Sequence, residues 1–154
     1  MAPATIQARL TDREVRLATT DLELLDCFTV MSELRPHVSK DEFIPRVRKQ
    51  QASGYQLAFC CDDGIPVCVA GFRIGENLAW GRYLYIDDLV TAEAFRSKGY
   101  GTTMMDWLKE YAGKNQCEQL HLDSGIQRKD AHRFYERENM CVAGYHFVYL
   151  PGAK

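Results

Sequence analysis

Two short stretches of this 154-residue chain hold residue types that could do chemistry. The first is Arg96-Ser97-Lys98-Gly99-Tyr100-Gly101, of the form R-x-x-G-x-G, placed where a long apolar run gives way to a helical pattern. Glycines at a helix start let a ligand approach the main chain closely. The first helical turn also offers unpaired N–H groups and the positive end of the helix dipole, which together suit a phosphate or pyrophosphate. Arg96 and Lys98 add formal positive charge. The same glycine pair also fits a plain tight turn. The second stretch is Asp87-Asp88, two adjacent acids inside the otherwise apolar run R-Y-L-Y-I-D-D-L-V-T from Arg82 to Thr91. Burying a charge without a partner is costly, so these acids need hydrogen bonds within the sheet, a bound cation or a chemical role. In a regular strand Asp87 shares a face with Tyr85 and Leu89, and Asp88 faces the other way.

Competing chemistries fail on spacing. No G-x-x-x-x-G-K-[ST] is present, so a nucleotide-triphosphate loop is excluded. The fingerprint G-x-G-x-x-G breaks at Met104, which stands where the third glycine belongs. No G-x-S-x-G elbow occurs. Cys27, Cys60, Cys61, Cys68, Cys117 and Cys141 include no C-x-x-C, and His37, His121, His132 and His146 add no paired spacing, so no metal site is expected. The cysteines lie among apolar neighbours and read as reduced thiols of a cytoplasmic protein. Vicinal Cys60 and Cys61 would point to opposite faces of a strand.

The elements that must position these residues follow from periodicity and caps. Arg13 to Thr19 alternates polar and apolar residues, as a first strand does. Thr20-Asp21-Leu22-Glu23 is a capping box, with Leu24, Leu25, Phe28, Met31 and Leu34 at helical spacing and Pro36 as the stop. Ser39 to Glu42 is a second capping box, with Phe43 and Val47 on the apolar face of its helix. Tyr55–Cys61, Ile65–Ile74 and Arg82–Thr91 read as three strands, joined by turns at Asp62-Asp63-Gly64 and Gly75-Glu76-Asn77 into an antiparallel meander. Gly101, Met104, Met105, Leu108, Tyr111 and Ala112 share one face of a helix that Gly113 should end. A short strand, Glu118–Leu122, a helix, Lys129–Glu138, and β-rich Cys141–Leu150 complete the chain. The order β-α-α-β-β-β-α-β-α-β predicts an α/β (α+β) domain around one mixed sheet. The whole chain, 1–154, reads as one domain, with residues 1–12 as a flexible tail lacking a hydrophobic signal core.

Composition narrows the class. Apolar residues make up 46% of the chain and charged residues 26%, ordinary for a globular protein with a real core. A net charge of −2 argues against non-specific nucleic-acid binding, which relies on excess positive charge. No apolar stretch reaches the roughly 20 residues a membrane helix needs, so no membrane partner is expected.

Three motifs in order resemble the GNAT superfamily of acyl-CoA-dependent N-acyltransferases. Ile86-Asp87-Asp88-Leu89-Val90-Thr91 resembles the family's central strand, often I-E-D-L-x-V; R-S-K-G-Y-G matches its acyl-CoA signature [RQ]-x-x-G-x-[GA]; Ala131-His132-Arg133-Phe134-Tyr135 resembles its A-x-x-F-Y helix. The specific matches span Ile86 to Met140, and the N-terminal half agrees in element order alone. The resemblance implies a mixed, mostly antiparallel central sheet flanked by about four helices, with a bulged central strand splayed from its neighbour. It implies acetyl-CoA as cosubstrate, its pantetheine arm pairing with the backbone of Leu89, Val90 and Thr91 and its pyrophosphate on N–H groups from Ser97 to Thr102, through Lys98, Gly99, Tyr100 and Gly101, beside Arg96. Asp87 takes the position of the family's frequent strand glutamate, as base or amine-binding carboxylate, with Asp88 as runner-up because a bulge shifts parity. Tyr135 matches the tyrosine near the thioester sulfur, and a phenol with pKa near 10 can donate a proton at neutral pH; it could equally be a core tyrosine beside Phe134. His132 falls on another helical face.

Two departures stand out: Arg128 where the family often has Asn, and Asn139-Met140 where it usually has Gly-Phe. Asn tolerates the left-handed backbone that glycine would supply, so the helix cap can survive. The implied reaction is direct transfer of acetyl to a primary amine of a small molecule, amino acid or peptide. The loop Glu33–Val38 is expected to wall the acceptor site, where Arg35 could clamp a carboxylate. An alternative is a non-catalytic acyl-CoA sensor or partner-binding module. The apolar run Tyr145–Leu150 could pair with a second copy's sheet edge, making a homodimer.

Overall fold

The two capping boxes are the most local signals in the sequence, and both form in the computed structural model, which describes residues 13–152. Helix α1, Asp21–Leu34, begins with the Thr20 hydroxyl accepting from the Glu23 amide at 3.1 Å while the Glu23 carboxylate accepts from the Thr20 amide at 3.1 Å. Helix α2, Lys40–Gln51, repeats the arrangement between Ser39 and Glu42. Burial works against ionisation of Glu23, but hydrogen bonds from Thr20 and Thr19 together hold its carboxyl below the ordinary value, and those from Ser39 do so for Glu42. Helix α1 ends at Arg35, whose amide still reaches the Met31 carbonyl, because Pro36 has no N–H to continue the ladder. Pro45 lies inside α2 and leaves the Asp41 carbonyl without its usual donor one turn on.

Strands β2 (Gln56–Asp62), β3 (Ile65–Asn77) and β4 (Gly81–Thr91) form the expected antiparallel meander. Asp63 and Gly64 both have positive φ, 50° and 77°, as a tight two-residue hairpin requires. The next turn falls later than the glycine suggested. Gly75, Glu76 and Asn77 stay in the ladder opposite Tyr83, Arg82 and Gly81, and the chain reverses at Leu78–Trp80. Gly75 is there for space, since a Cβ would overlap the Tyr83 hydroxyl. Strand β1 is only Arg16–Leu17, paired with Phe59 and Ala58, shorter than the alternation from Arg13 to Thr19 implied. Helix α3, Tyr100–Lys114, runs through Gly113 and stops at Asn115, with Gln116 in the left-handed region at φ 57°. The amides of Gln116 and Cys117 then return to the carbonyls of Gly113 and Ala112. Strand β5, Gln119–Leu122, lies parallel to β4.

The described residues fall into two compact units, divided after Leu122. In the first, the sheet order is β1-β2-β3-β4-β5. One core lies between the sheet and α1 and α2, where Leu24, Met31, Phe43 and Val47 meet Leu57, Phe59, Val69 and Val90. On the opposite face, Phe72 packs edge-on against Trp107 and Tyr111 of α3, with Met104, Met105 and Leu108 fully buried. Cys61 joins the first core, while Cys60 faces Cys68 across β2 and β3.

The second unit contains helix α4, Lys129–Arg137, and an irregular segment from Cys141 to Leu150. The expected closing strand does not form there: its residues have strand propensity, but their own unit holds no neighbouring strand to supply hydrogen bonds. The chain is thus a mixed α/β protein with a five-stranded, mostly antiparallel sheet and four α-helices among the described residues. None of those helices is long and apolar enough to cross a membrane. The tail expected over 1–12 lies outside the described residues.

The capping carboxyls set an acid limit. A carboxyl depressed on folding contributes stability above its unfolded pKa and loses it as pH falls through the folded value. Urea midpoints should therefore fall as pH drops below 4.5. Glu23→Gln, which keeps a capping side chain but cannot titrate, should flatten part of that decline.

Candidate active site

Strand β4 is the axis of the site, and its geometry is set by one extra residue. Ile86 lies opposite Phe72 and Asp88 opposite Gly71, so Asp87 has no counterpart in β3 and forms a bulge. In a regular strand the two acids would face opposite sides. Here both reach partners on the side of α1 and α2. Asp88 accepts from Arg35 Nε at 2.8 Å on Oδ1 and from the Tyr55 hydroxyl at 2.8 Å on Oδ2. Asp87 accepts from Arg73 Nε and, at 2.7 Å, from Arg73 Nη2, which also reaches Gln50 Oε1. The Asp87 carbonyl takes a further bond from Arg35 Nη2 at 2.9 Å. Two acids and two arginines thus compensate each other at the bulge.

These contacts distinguish the two acids. Both Asp88 oxygens serve groups that tie the end of α1 and the start of β2 to the sheet, and its side chain is only 13% exposed. Asp87 is held by a single guanidinium and is 23% exposed. Burial, followed by the neighbouring Asp88 charge, pushes the Tyr55 phenol well above its ordinary pKa, so Tyr55 stays a donor. The hydrogen bond to Asp87 raises Arg73 further and keeps it charged. Gly71 makes room for the cluster, since a Cβ there would overlap the Tyr55 hydroxyl and the Asp88 carboxylate.

The pairing with β5 stops just before the bulge. Tyr83 to Ile86 pair in parallel with Gln119 to Leu122, and from Asp88 to Thr91 β3 is the one partner strand among the described residues. Leu89, Val90 and Thr91 pair there with Ala70, Val69 and Cys68. The Thr91 carbonyl accepts from Arg96 Nε at 3.3 Å, linking the strand end to the glycine turn.

That turn opens with a 3-10 segment, Glu93–Phe95, and takes left-handed backbone at Ser97, φ 63°, and at Gly99, φ 87°. Gly99 is the N-cap of α3 and brings no capping side chain, so the first amides of the helix have no side-chain acceptor from that position. Arg13 braces the loop, with Nη1 on the Lys98 carbonyl at 3.0 Å and its guanidinium 4.2 Å from the Tyr100 ring centre. The Tyr100 ring is buried, with its hydroxyl on Asp62, so any ligand contact from Tyr100 falls to its main chain. Arg96, Ser97, Lys98 and Gly99 are exposed.

In the second unit, Tyr135 is half-buried and stacks edge-on against Phe134. Burial raises its pKa above the ordinary phenol value, with Arg128 acting in the opposite direction. His132 Nε2 lies 2.8 Å from the Gly125 carbonyl and fastens the loop before α4. Asn139 takes the left-handed conformation expected of it, φ 66°, and the Met140 amide closes the cap on the Tyr135 carbonyl. Arg73, Tyr55, Gln50 and Gly71 escaped the sequence reading. Arg73 left one signal, a lone charge inside the apolar run Ile65–Ile74.

Comparison with known proteins agrees with the class that this strand and turn define. Residues 19–139 match the Acetyltransferase (GNAT) family. The chain belongs to that family. It is 32% identical over 131 residues to the uncharacterized N-acetyltransferase YhdJ of Bacillus subtilis strain 168, covering 84% of this chain and 92% of the relative. It is 27% identical over 140 residues to an aminoalkylphosphonate N-acetyltransferase of Salmonella typhimurium, covering 88% and 89%. The solved structure of aminoglycoside N-acetyltransferase AAC(6')-Iy in complex with CoA shares the fold, with a TM-score of 0.80 at 12% identity over 91% of this chain and 95% of that one.

Gly71→Ala tests the packing at the bulge. It should cost about 2–4 kcal/mol of stability by displacing Tyr55 from Asp88, measured as a lowered urea midpoint with the m-value unchanged.

Proposed function

We propose that this protein transfers the acetyl group of acetyl-CoA directly to a primary amine. The observation that carries the reading is the end of β4–β5 pairing at Asp87, in the same unit as the uncapped start of α3 at Gly99. An extended chain can add to such a strand by main-chain hydrogen bonds. Leu89, Val90 and Thr91 would take the pantetheine arm in this way. The amides from Ser97 to Thr102, with the charges of Arg96 and Lys98, would take the pyrophosphate. The CoA bound in the structurally similar aminoglycoside N-acetyltransferase supports this cosubstrate.

Transfer needs a neutral amine, because an ammonium has no lone pair. Asp87 would accept that proton, directly or through water. The amine nitrogen then bonds to the thioester carbonyl carbon and gives up its second proton to water, the carbon–sulfur bond breaks, and the departing thiolate would take a proton from Tyr135, which solvent restores. Asp87 is the better base of the two acids because both oxygens of Asp88 serve structural partners. Arg73 would orient Asp87.

The acceptor is a small-molecule amine, amino acid or peptide. Arg35 is engaged with Asp88 and Asp87, so its expected role as a carboxylate clamp gives way to Arg73, which is 33% exposed beside Asp87. Acids balanced by arginines suit an amine that carries its own anionic group better than a polycation. The relative that acts on aminoalkylphosphonates, amines of that description, supports this choice. Six cysteines without a disulfide support a cytoplasmic location.

A binding-only reading draws on one observation, that Asp87 already has an ion-pair partner. Calorimetric titration with acetyl-CoA, coenzyme A and ATP comes first. Micromolar, acetyl-CoA-selective binding that Gly99→Val abolishes is the expected result. Absence of binding by a folded sample removes the proposal, and binding without thiol release across a panel of amines leaves the sensor reading.

The chemical roles have their own readouts. Asp87→Asn should lower turnover roughly 10²-fold or more and flatten the rise of rate with pH. Tyr135→Phe should lower turnover with acetyl-CoA affinity nearly intact. An unchanged pH profile or an unchanged turnover would remove the corresponding role.

A further inference from the structure

The face of the sheet that carries Arg73 continues across the first unit as a row of rings. Arg73, Tyr85 and His121 stand in register on β3, β4 and β5, and Gly75, Tyr83 and Gln119 form the next row on the same face. The rows that alternate with them, Phe72–Ile86–Leu122 and Ile74–Leu84–Leu120, face α3 instead. Helices α1 and α2 cover Leu57, Phe59, Val69 and Val90 on the first face, and Tyr83, Tyr85 and His121 lie outside that core.

Local contacts set the rings. The Trp80 amide donates to Asn77 Oδ1 at 2.6 Å in the β3–β4 turn. The Trp80 indole stacks on His121, with ring centres 3.5 Å apart and planes 11° from parallel, and meets Tyr83 edge-on at 5.2 Å. The Tyr83 hydroxyl lies over Gly75, so the Tyr83 ring leans along the sheet toward β3. Rings arranged in this way make a flat wall on which another aromatic group can stack or sit edge-on. The wall meets the charge cluster at Arg73. There Nε and Nη2 serve Asp87 and Gln50, which leaves Nη1 for an anion. Tyr85 lies opposite Arg73 and precedes Asp87 by two residues, about 7 Å of strand.

We propose that the acceptor is an aromatic amine carrying an anionic group on a short arm, of which the aromatic α-amino acids are the simplest members. Its amine sits at Asp87, its carboxylate at Arg73 Nη1, and its ring on the wall of Trp80, Tyr83, Tyr85 and His121. An aromatic amino acid holds amine, carboxylate and ring around one carbon, as these three neighbouring positions require. Its paired charges also match a cluster in which two acids already balance two arginines. The proposal rests on Asp87 as the amine site, whereas the wall uses residues that the transfer chemistry does not.

Thiol release from acetyl-CoA, measured with L-phenylalanine, L-alanine and phenethylamine, tests each part. L-Alanine leaves the wall empty, and phenethylamine leaves Arg73 without an anion. L-Phenylalanine should show kcat/KM about 30-fold or more above both. Trp80→Ala should raise KM for L-phenylalanine about 10-fold, with acetyl-CoA affinity and urea midpoint retained, and Trp80→Phe should restore most of the loss. Parity of L-phenylalanine with either control, or an unchanged KM in Trp80→Ala, overturns the proposal and leaves acetyl transfer standing. If no amine releases thiol, calorimetric titration of L-phenylalanine into protein saturated with coenzyme A decides. Binding that Trp80→Ala weakens keeps the aromatic site while the transfer reading falls, and absence of binding overturns the site.

Discussion

One residue more in β4 than in β3 governs the first unit. With Asp87 inserted opposite the Gly71–Phe72 step, the side chains on either side of it change parity. Val90 and Asp88 belong to the face of α1 and α2, whereas Ile86 and Leu84 follow Phe72 and Ile74 in register. A strand without the insertion would send one carboxylate toward the aromatic core formed by Phe72, Trp107 and Tyr111, where no partner awaits it. The pairing of β4 with β5 stops at Ile86, the residue before the insertion. The acid pair and the end of the β4–β5 ladder thus fall at the same point of the strand.

Electrostatics makes that insertion affordable. Two carboxylates on neighbouring residues repel, and neither is fully solvated. Arg35 and Arg73 answer them from different elements, one at the end of α1 and one in β3, and Tyr55 supplies a neutral donor from the start of β2. The cluster therefore ties helix, hairpin and central strand together. Losing one of its members would leave a part-buried charge without its counterpart, so its residues act as a set.

Local signals were legible in the sequence. Capping boxes at Thr20 and Ser39, the Asp63-Gly64 hairpin and the helical face around Met104 involve residues within a few positions of each other, and each formed. Family motifs carried the rest, because R-S-K-G-Y-G and I-D-D-L-V-T have meaning only through a shared fold. What depended on distant partners was less legible. Gly75 read as a turn, although its small size serves the Tyr83 hydroxyl across the ladder. Gly113 read as a stop, although Gln116 takes the left-handed position. Arg73 carries no local pattern at all; it is explained only by Asp87, fourteen residues away. Cys141–Leu150 has the composition of a strand but no neighbour in its own unit to make it one.

The brace that Arg13 places on the Lys98 carbonyl and the Tyr100 ring has a thermodynamic consequence for the turn. Left-handed backbone at Ser97 and Gly99 is a demanding conformation for a loop to find at the moment of encounter. Here it is fixed beforehand by Arg13 from one side and by the Thr103 hydroxyl on the Gly99 carbonyl from the other. The conformational entropy of ordering the loop is thereby charged to folding rather than to association. A ligand taken up at the start of α3, as proposed, would meet a turn already in its folded conformation, and its affinity would reflect contacts made rather than disorder removed.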